Sequence, residues 1–336
     1  LEEAGIRPDI ITGTSMGSIM GSLYAVGYTA DELSDINKNA NWDLLLTDKE
    51  RLLSVAMDEK DETKKYLFEI PIREKRINLP AGVIDGQHLE AYFSELLWPL
   101  TEEEDFNQLP VPFHCMSVDM ISGETIEHSS GDLVKSIRAS MSIPTVFSPV
   151  QMDSMLLVDG GVTRNFPVQE AISMGADIII GVYVGFQEDV TADDIQSMTD
   201  ILQRSIALGG IVDAKEQFEK CDVLIIPDLR DYSAADFVKG QEIQQIGENA
   251  AREKWSEIKA LAWKYDLEYT PVDRIPQPEK IRITGMEVTG LNYLSRNFVL
   301  SKSGIEIGDR ISADDIKEAI DFMYGSMHFG KLTYSL

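Results

Sequence analysis

Residues 8–28 carry the stretch PDIITGTSMGSIMGSLYAVGY, in which the spacing of the apolar residues changes at Gly13. Before this glycine, Ile10 and Ile11 form a short apolar run that is typical of a buried strand. From Ile19 onward, apolar residues recur at the spacing of a helix. The stretch therefore predicts a strand, a tight turn and a helix, which is the basic unit of an α/β fold.

The turn in this stretch, Gly13-Thr14-Ser15-Met16-Gly17, fits the pattern G-x-S-x-G. This pattern holds a nucleophilic serine on a strained turn between a strand and a helix, and its two glycines let neighbouring backbone pass close to the serine. Roughly 0.1 chance matches are expected in a chain of this length, so the pattern alone is weak evidence for a nucleophile. Its position between a predicted strand and a predicted helix is the stronger evidence. We expect Ser15 to be a nucleophile and the N–H of Met16 to stabilise an oxyanion.

A serine hydroxyl needs a base, and the usual base is a histidine held by a carboxylate. None of the histidines follows a late strand, where a hydrolase of the α/β type carries its catalytic histidine. His114 lies inside an apolar segment, which predicts a core residue, and the simplest interpretation of His128 is a surface residue. The histidines of the chain are His88, His114, His128 and His328.

Asp159 is the better candidate for the base. It ends an apolar segment and precedes Gly160 and Gly161, which place little bulk around its carboxylate. In a parallel sheet, Ser15 and Asp159 would both emerge at the carboxyl ends of strands, the edge at which such sheets build their sites. By itself, the sequence Asp-Gly-Gly is equally compatible with a simple turn.

The composition excludes several classes of function. A net charge of −27, from 30 basic and 57 acidic residues, leaves too few clustered cations for nucleic acid or for electrostatic capture by an anionic membrane. Cys115 and Cys221 are far apart and lack the spacing of metal ligands or of a disulfide framework. We therefore expect no metal site. No apolar run approaches the roughly 20 residues of a transmembrane helix.

The order of the elements predicts two domains. Strands alternate with helices up to about residue 270, which predicts an α/β domain with a largely parallel sheet over 1–270. The unbroken apolar run at residues 177–185 predicts a strand that is covered on both faces. Three prolines make 271–280 an extended linker. Residues 281–336 then predict strand, helix, helix and a final strand.

Beyond the two motifs, several segments resemble the patatin-like phospholipase family in their sequence and in their order along the chain, over roughly residues 1–265. The similar segments are LEEAGIRPDIITGTSMGS, IRASMSIPTVFSPV, DGGVTRNFPV and CDVLIIPDLRDYSAADF. The resemblance implies a three-layer α/β/α fold and a Ser-Asp dyad of Ser15 and Asp159, supported by Gly13, Gly17, Gly160 and Gly161. It also implies a serine lipid acyl hydrolase, of phospholipase A type, that needs no cofactor.

The chain departs from the family pattern at its beginning. The family carries a glycine-rich oxyanion loop after its first strand, upstream of the serine, whereas the 14 residues before Ser15 contain no such loop. We therefore expect that this chain lacks the first strand and that loop. Because the loss of one oxyanion donor typically costs a factor of about 10²–10³ in kcat, we expect the chain by itself to be weakly active or inactive.

The tail, residues 281–336, opens with the pattern I-x-I-x-G-x-x-x-x-G, continues with two short predicted helices and ends in GSMHFGKLTYSL. This pattern resembles an incomplete POTRA (polypeptide-transport-associated) domain, whose final strand would be missing. Patatin and POTRA domains occur together in fused type V secretion proteins, so this resemblance implies a bacterial parent protein that continues into an outer-membrane β-barrel. It also implies a location in the cell envelope or outside the cell, with the cytoplasm as the alternative. A small capping α+β domain without a role in export is the simpler interpretation of the same residues.

Three questions stay open at the level of sequence. A non-catalytic passenger or interaction module of a secretion protein, in which strands pair with partner chains, is the alternative to the enzyme. Acyl transfer to an acceptor other than water would use the same residues. The third question is whether several large apolar residues line an acyl-chain groove or, as is more common, belong to the core. These residues are Trp42, Leu44, Leu45, Trp98 and Leu100.

Overall fold

A computed structural model describes residues 1–46, 84–100, 104–185, 197–233, 236–291, 293–326 and 328–336, together with 72–73, 76–77, 82, 191 and 195. The strands are β1 (Ile11–Thr14), β2 (Ile72–Arg73), β3 (Arg76–Ile77), β4 (Glu104–Asp105), β5 (Phe113–Asp119), β6 (Thr125–His128), β7 (Ser130–Gly131), β8 (Val150–Met152), β9 (Met155–Asp159), β10 (Ile180–Val182), β11 (Val223–Ile225), β12 (Ile281–Arg282) and β13 (Arg310–Ile311). The helices are α1 (Met16–Ala25), α2 (Ala30–Asn39), α3 (Trp42–Leu45), α4 (Gln87–Leu96), α5 (Leu133–Ser140), α6 (Val168–Ser173), α7 (Met198–Phe218), α8 (Gly240–Glu253), α9 (Trp255–Lys264), α10 (Arg296–Ser303) and α11 (Ala313–Tyr324).

Strand β5, which is buried along its whole length, is the centre of the main sheet. β6 pairs with residues 115–118 of β5 in antiparallel orientation and so occupies one edge of β5. β1 pairs in parallel with residues 113–116, and β9 pairs in antiparallel orientation with residues 117–119. Because β6 already takes one edge, β1 and β9 must share the other, where they run toward each other and end at adjacent positions.

The α/β fold class is confirmed, but the expectation of a largely parallel sheet is wrong for the main sheet. Only the pairing of β1 with β5 is parallel among the pairings of this five-stranded sheet in the described residues. β6, β8 and β9 join it through antiparallel pairings. For β5–β6 and β8–β9 the cause is local, since these are hairpins with short turns, and short turns can join only antiparallel strands. The antiparallel pairing of β9 with β5 is instead a long-range one.

Helices cover both faces of the sheet, as a three-layer fold requires. Successive residues of a strand point to opposite faces. On β1, Ile11 faces α1, so closely that a Cβ built on Gly21 of that helix would lie 2.9 Å from the Ile11 side chain. Thr12 faces the other way and donates a hydrogen bond to the carbonyl of Pro167 at 2.7 Å, immediately before α6. The core on the α1 side also receives residues of α4 and α5.

Strands β10 and β11 form a separate parallel pair. The prediction that the run at 177–185 is covered on both faces is confirmed for the first part of the strand. Tyr183 lies in an aromatic cluster with Phe166 and Phe218 on one face, and Ile180 packs on the other face against a cluster that contains Val223 of β11 and Ile258 of α9. The prediction is wrong for the end of the run, where Val182 and Val184 are 54% and 49% exposed.

Residues 281–336 contain the antiparallel pair of β12 and β13 and the helices α10 and α11. The two predicted helices are present, but the predicted final strand is not: residues 328–336 have no regular secondary structure. The region packs on α4, where Gln87 exchanges hydrogen bonds with the backbone of Leu332, and Trp98 joins its apolar core. The domain boundaries, the resemblance to POTRA and the location in the cell envelope stay predictions.

Within the described ranges, no helix is both long enough and apolar enough to cross a membrane.

Two glycines let α7 pack directly on the loop that follows β9. A Cβ on Gly210 would lie 2.1 Å from the carbonyl oxygen of Gly161, and one on Gly209 would lie 2.7 Å from that of Val162. Gly247, inside α8, has no atom within 4 Å of the equivalent position. The first two glycines therefore serve packing, and the third does not.

We expect opposite effects when a helix glycine is changed to alanine at these two kinds of site. Gly210→Ala should lower the free energy of unfolding by about 2 kcal/mol, because the helix must move away from the loop. Gly247→Ala should raise it by about 0.5–1 kcal/mol, through the better helix propensity of alanine. Urea unfolding of both variants measures this, and equal effects would contradict the assigned packing.

Candidate active site

Ser15 lies between the end of β1 and the start of α1, with φ 54° and ψ −117°. Residues other than glycine rarely adopt a positive φ, and such a conformation costs about 1–3 kcal/mol. It persists only where the surroundings determine it, and this happens mainly at functional sites. The side chain is half-buried at the N-terminus of α1.

The two glycines of the motif have different environments. A Cβ on Gly13 would lie 2.3 Å from the carbonyl oxygen of Gly17, so the turn cannot close around any other residue. Gly17 is exposed, and nothing lies within 4 Å of the position that its Cβ would take. The close backbone approach expected of both glycines therefore holds only for Gly13.

Asp159 is the last residue of β9 and is 5% exposed. It lies opposite Ser117 of β5, while Thr14, the residue before Ser15, lies opposite the preceding residue, Met116. The meeting of β1 and β9 along one edge of β5 thus brings the candidate nucleophile and the candidate base together. The sequence argument reached the same juxtaposition through parallel strands, and that premise is wrong.

Both glycines after Asp159 lie in close contacts, Gly160 with backbone and Gly161 with the ends of side chains. A Cβ on Gly160 would lie 2.5 Å from the carbonyl oxygen of Met116, and one on Gly161 would lie 2.9 Å from Asp159 Oδ1. The N–H of Gly161 donates to the same Oδ1 at 2.7 Å. The carboxylate is therefore held by its own turn, in a space that a larger residue would fill.

Burial raises the pKa of Asp159 from 3.8 to about 6, against smaller opposing effects of the Ser15 hydroxyl and the Gly161 N–H. Oδ2 is buried and has no hydrogen-bond partner among the described residues. The Ser15 hydroxyl is thus near enough to lower the pKa without making a hydrogen bond of ordinary geometry. Such contacts are often long in the absence of substrate.

The backbone N–H groups around Ser15 have separate roles. The N–H of Ser15 donates to Ser140 Oγ at 3.0 Å, so it is not available to an oxyanion. The N–H of Met16, the first residue of α1, has no acceptor in the described part of the chain. A free N–H at the start of a helix attracts a developing negative charge.

The loop after Asp159 is fastened to β1 on the face opposite α1. Thr14 Oγ1 donates to the carbonyl of Arg164 at 2.8 Å, two residues along β1 from the equivalent bond of Thr12. The Arg164 side chain forms ion pairs with Glu170 of α6 and Asp213 of α7, at 3.1 Å and 2.7 Å. These contacts tie the loop to both elements that flank it.

Three residues of the segment RASMS at 138–142 also support the site, and the sequence analysis gave them no role. Ser140 Oγ accepts from Ser15, and the carbonyl of Ser142 accepts the N–H of Asp159 at 2.9 Å. Arg138 is 1% exposed and donates to Ser142 Oγ at 2.7 Å. The available signal was an arginine inside an otherwise small and apolar segment, since buried arginines need several acceptors.

The histidines do not supply a base in the described structure. The prediction that His114 is a satisfied core residue is confirmed, because it is buried between Glu127 and Asn107. The prediction that His128 lies on the surface is wrong: it is 6% exposed, and its Nε2 lies 2.7 Å from Ser117 Oγ. Burial lowers the pKa of His128 to about 4, so the ring is neutral at physiological pH.

The apolar residues considered for an acyl-chain groove belong mostly to the core. Leu45 and Trp98 are buried in apolar clusters, and Trp42 and Leu100 pack against one of them. Leu44 is half-buried. In the described part of the chain, no group of three or more His, Cys, Asp or Glu residues could hold a metal ion.

Comparison with known proteins gives a consistent picture. The model of a family described as patatin-like phospholipase matches residues 1–172. Lysophospholipase NTE1 of Scheffersomyces stipitis is 28% identical over 284 residues, which cover 76% of this chain and 16% of the relative. A patatin-like phospholipase domain-containing protein of Caenorhabditis elegans is 27% identical, over 77% of this chain and 18% of the relative.

A third relative is an uncharacterized NTE family protein of Mycobacterium tuberculosis, which is 26% identical over 198 residues, 58% of this chain and 46% of the relative. The chain spans less than half the length of each of these three relatives, and less than a fifth of the first two.

Two substitutions within the serine motif should differ in their effect on folding. Gly13→Ala should lower the free energy of unfolding by roughly 2 kcal/mol or more, because its Cβ meets backbone that cannot move independently. Gly17→Ala should leave it within about 0.5 kcal/mol, as for most exposed sites. Thermal unfolding of both variants tests the difference, and a large loss for Gly17→Ala would contradict the geometry of the turn.

Asp159→Asn should stabilise the protein at high pH. The raised pKa means that the folded state of the wild type binds a proton more tightly than the unfolded state. Protonated Asp159 therefore stabilises the wild-type fold fully below about pH 4, and this contribution is lost as the pH rises through 6. At pH 7 the ionised carboxylate costs about 3 kcal/mol, which the amide does not. The unfolding free energies of the wild type and of Asp159→Asn should therefore be similar at pH 4 and differ at pH 8.

Asp119 provides the control of opposite sign. Burial acts to raise its pKa, but hydrogen bonds from Leu156, Ser122 and Ile121 lower it overall. A lowered pKa stabilises the fold above its unfolded value and loses this effect as the pH falls. Asp119→Asn should therefore destabilise the protein at pH 8. The same trend for both variants would contradict the assigned burial of Asp159.

Proposed function

The chain belongs to the patatin-like phospholipase family, and from this premise we propose that it is a serine acyl hydrolase of lipid esters with Ser15 as nucleophile and Asp159 as base. The observation that carries the proposal is the pairing of a strained serine with a buried carboxylate at the meeting point of two strands. Neither strain nor the burial of an acid favours folding, and both are typical of catalytic sites.

The reaction follows from the positions of these groups. Ser15 Oγ attacks the ester carbonyl carbon and forms a C–O bond while its proton passes to Asp159. The carbonyl oxygen becomes an oxyanion, toward which the Met16 N–H donates. The intermediate then expels the alcohol, which takes the proton from Asp159 and leaves an acyl ester on Ser15. Water attacks this ester, Asp159 accepts its proton, and return of the proton to Ser15 releases the fatty acid.

The raised pKa suits Asp159 to act without an imidazole between it and the serine. A carboxylate with a pKa of 3.8 is a weak base, whereas one with a pKa of about 6 binds a proton more strongly and is still mainly ionised at pH 7. Catalytic groups work best when their pKa lies near the operating pH. Burial in the fold therefore supplies basicity that other serine hydrolases obtain from histidine.

The relatives support a phospholipid or lysophospholipid as substrate. One of the three relatives, that of Scheffersomyces stipitis, carries the name lysophospholipase. Both substrate classes present an acyl ester, which is the bond that the dyad attacks. The high negative charge of the chain disfavours electrostatic attraction to an anionic lipid surface. We therefore propose a substrate that is presented in neutral or zwitterionic lipid.

Reaction with a fluorophosphonate probe tests the assignment of the dyad. The full-length protein should form one adduct, and peptide mass analysis should locate it on Ser15. Ser15→Ala should abolish the adduct, and Asp159→Asn should slow both labelling and hydrolysis of a lipid ester by on the order of 10³-fold or more. Ser22→Ala is the matched control, because Ser22 is a buried serine of α1 whose hydroxyl donates to the Ile19 carbonyl of the same helix.

The same protein should show a rate that rises with pH. Since Asp159 must be ionised to accept a proton, kcat/KM should increase through an apparent pKa near 6 and then level off. Labelling at another residue, or a rate that is independent of pH between 5 and 8, would remove the support for a Ser15–Asp159 dyad.

A further inference from the structure

One turn of the chain contacts both members of the proposed dyad. Ser140, the last residue of α5, accepts the Ser15 N–H on its Oγ at 3.0 Å. Two residues later, the carbonyl of Ser142 accepts the N–H of Asp159 at 2.9 Å. Both serines are 0% exposed, so neither bond competes with bulk water. The backbones of Ser15 and Asp159 are therefore attached to the same three-residue turn, 140–142.

This turn is itself fixed by a buried arginine. Arg138 Nη1 donates to Ser142 Oγ at 2.7 Å, and that hydroxyl donates back to the Arg138 carbonyl at 2.7 Å. Nη2 donates to the carbonyls of Asp85 at 2.9 Å and Ser148 at 3.3 Å. The guanidinium thus connects the turn to two further loops, and its carbon lies 5.1 Å from the ring centroid of Phe147.

The surroundings of the arginine leave it little freedom. A Cβ on Gly86 would lie 2.7 Å from Arg138 Nε, so the chain passes against the guanidinium at a residue with φ +78°. The loops on either side are joined directly as well, because Ile84 donates to Val146 and accepts from Ser148. A buried planar cation with several carbonyl acceptors is a rigid connector.

We propose that the turn 140–142 is a positioning element that holds Ser15 and Asp159 at a fixed separation, and that Arg138 locks this turn. The inference rests on the proposed function, since it assigns the turn a purpose in the transfer of the serine proton. A dyad has no imidazole to bridge a gap, so its proton must cross directly between two side chains. A misplacement of about 1 Å can cost a factor of roughly 10² in rate.

Ser140 has a specific task within this element. The backbone of Ser15 is strained, and its N–H would have no partner without the Ser140 hydroxyl. The bond therefore favours the one conformation in which the Ser15 side chain faces Asp159. It also turns the Ser15 N–H away from the substrate and leaves the Met16 N–H as the donor at the oxyanion position.

The test compares two buried serines of the same helix. Ser140→Ala removes the contact to Ser15, whereas Ser136→Ala removes an equally buried hydroxyl that donates to the Asp132 carbonyl at 2.8 Å. We expect Ser140→Ala to lower the labelling rate and kcat roughly ten- to hundredfold with KM unchanged, and Ser136→Ala to react like the wild type. Similar melting temperatures for the two variants would separate positioning from general destabilisation.

Amide hydrogen exchange supplies a readout that does not depend on activity. In Ser140→Ala the Ser15 amide should exchange faster while the Asp159 amide keeps its protection. In Arg138→Lys, which cannot reach all the acceptors of the guanidinium, both amides should exchange faster. Ser136→Ala should change neither, and exchange in β5, which is buried along its whole length, serves as the reference for global opening.

The outcomes distinguish the two proposals. A Ser140→Ala variant that labels as fast as Ser136→Ala and protects the Ser15 amide would overturn the positioning role, even when Ser15→Ala abolishes labelling. A full-length wild-type protein that is never labelled at Ser15 would overturn the proposed function. In that case the exchange of the two amides still decides whether the turn fixes their positions.

Discussion

The meeting of β1 and β9 along one edge of β5 is the constraint on which the site depends. β6 fills the opposite edge, so both strands must share what remains, and their ends lie at the consecutive β5 positions Met116 and Ser117. Neither strand can continue without colliding with the other. The chain must therefore leave the sheet at both ends, as a helix after Ser15 and as a glycine turn after Asp159. Ser15 and Asp159 lie at these two points where the chain leaves the sheet, which we call the corners of the site.

These corners are costly to fold, and the rest of the molecule compensates for them. Ser15 adopts a positive φ, and Asp159 is a buried carboxylate with one oxygen that has no partner among the described residues. Their backbones are held from two sides. The turn 140–142 lies on one face, and on the other the hydroxyl of Thr14 secures the loop beyond Asp159. Contacts on both faces of a sheet prevent a strained turn from relaxing by a simple rotation of its backbone.

The sequence alone predicted the local features of the site but not their arrangement. Ser15 and Asp159 were identifiable because strand, turn and helix signals, and the demand of tight turns for glycine, depend on neighbouring residues only. The direction of β9 was not, because it depends on a long-range pairing with β5. For the same reason His128 was misplaced: its burial results from the pairing of β6 with β5, which the local pattern does not report. Ser140 was overlooked, since a serine in a helix carries no signal of its partner.

The burial of Asp159 connects folding to reactivity in a way that a histidine-based site does not require. A histidine has an ordinary pKa near neutrality, so it can act as a base from an exposed position. An aspartate must be moved by its surroundings, and here desolvation is the main cause of the raised pKa. Any change that admits water to this corner would restore a weak base, even with every side chain retained. The close packing of Gly160 on β5 and of Gly210 on the turn after Asp159 therefore contributes to the basicity of Asp159, because these contacts exclude water from the carboxylate.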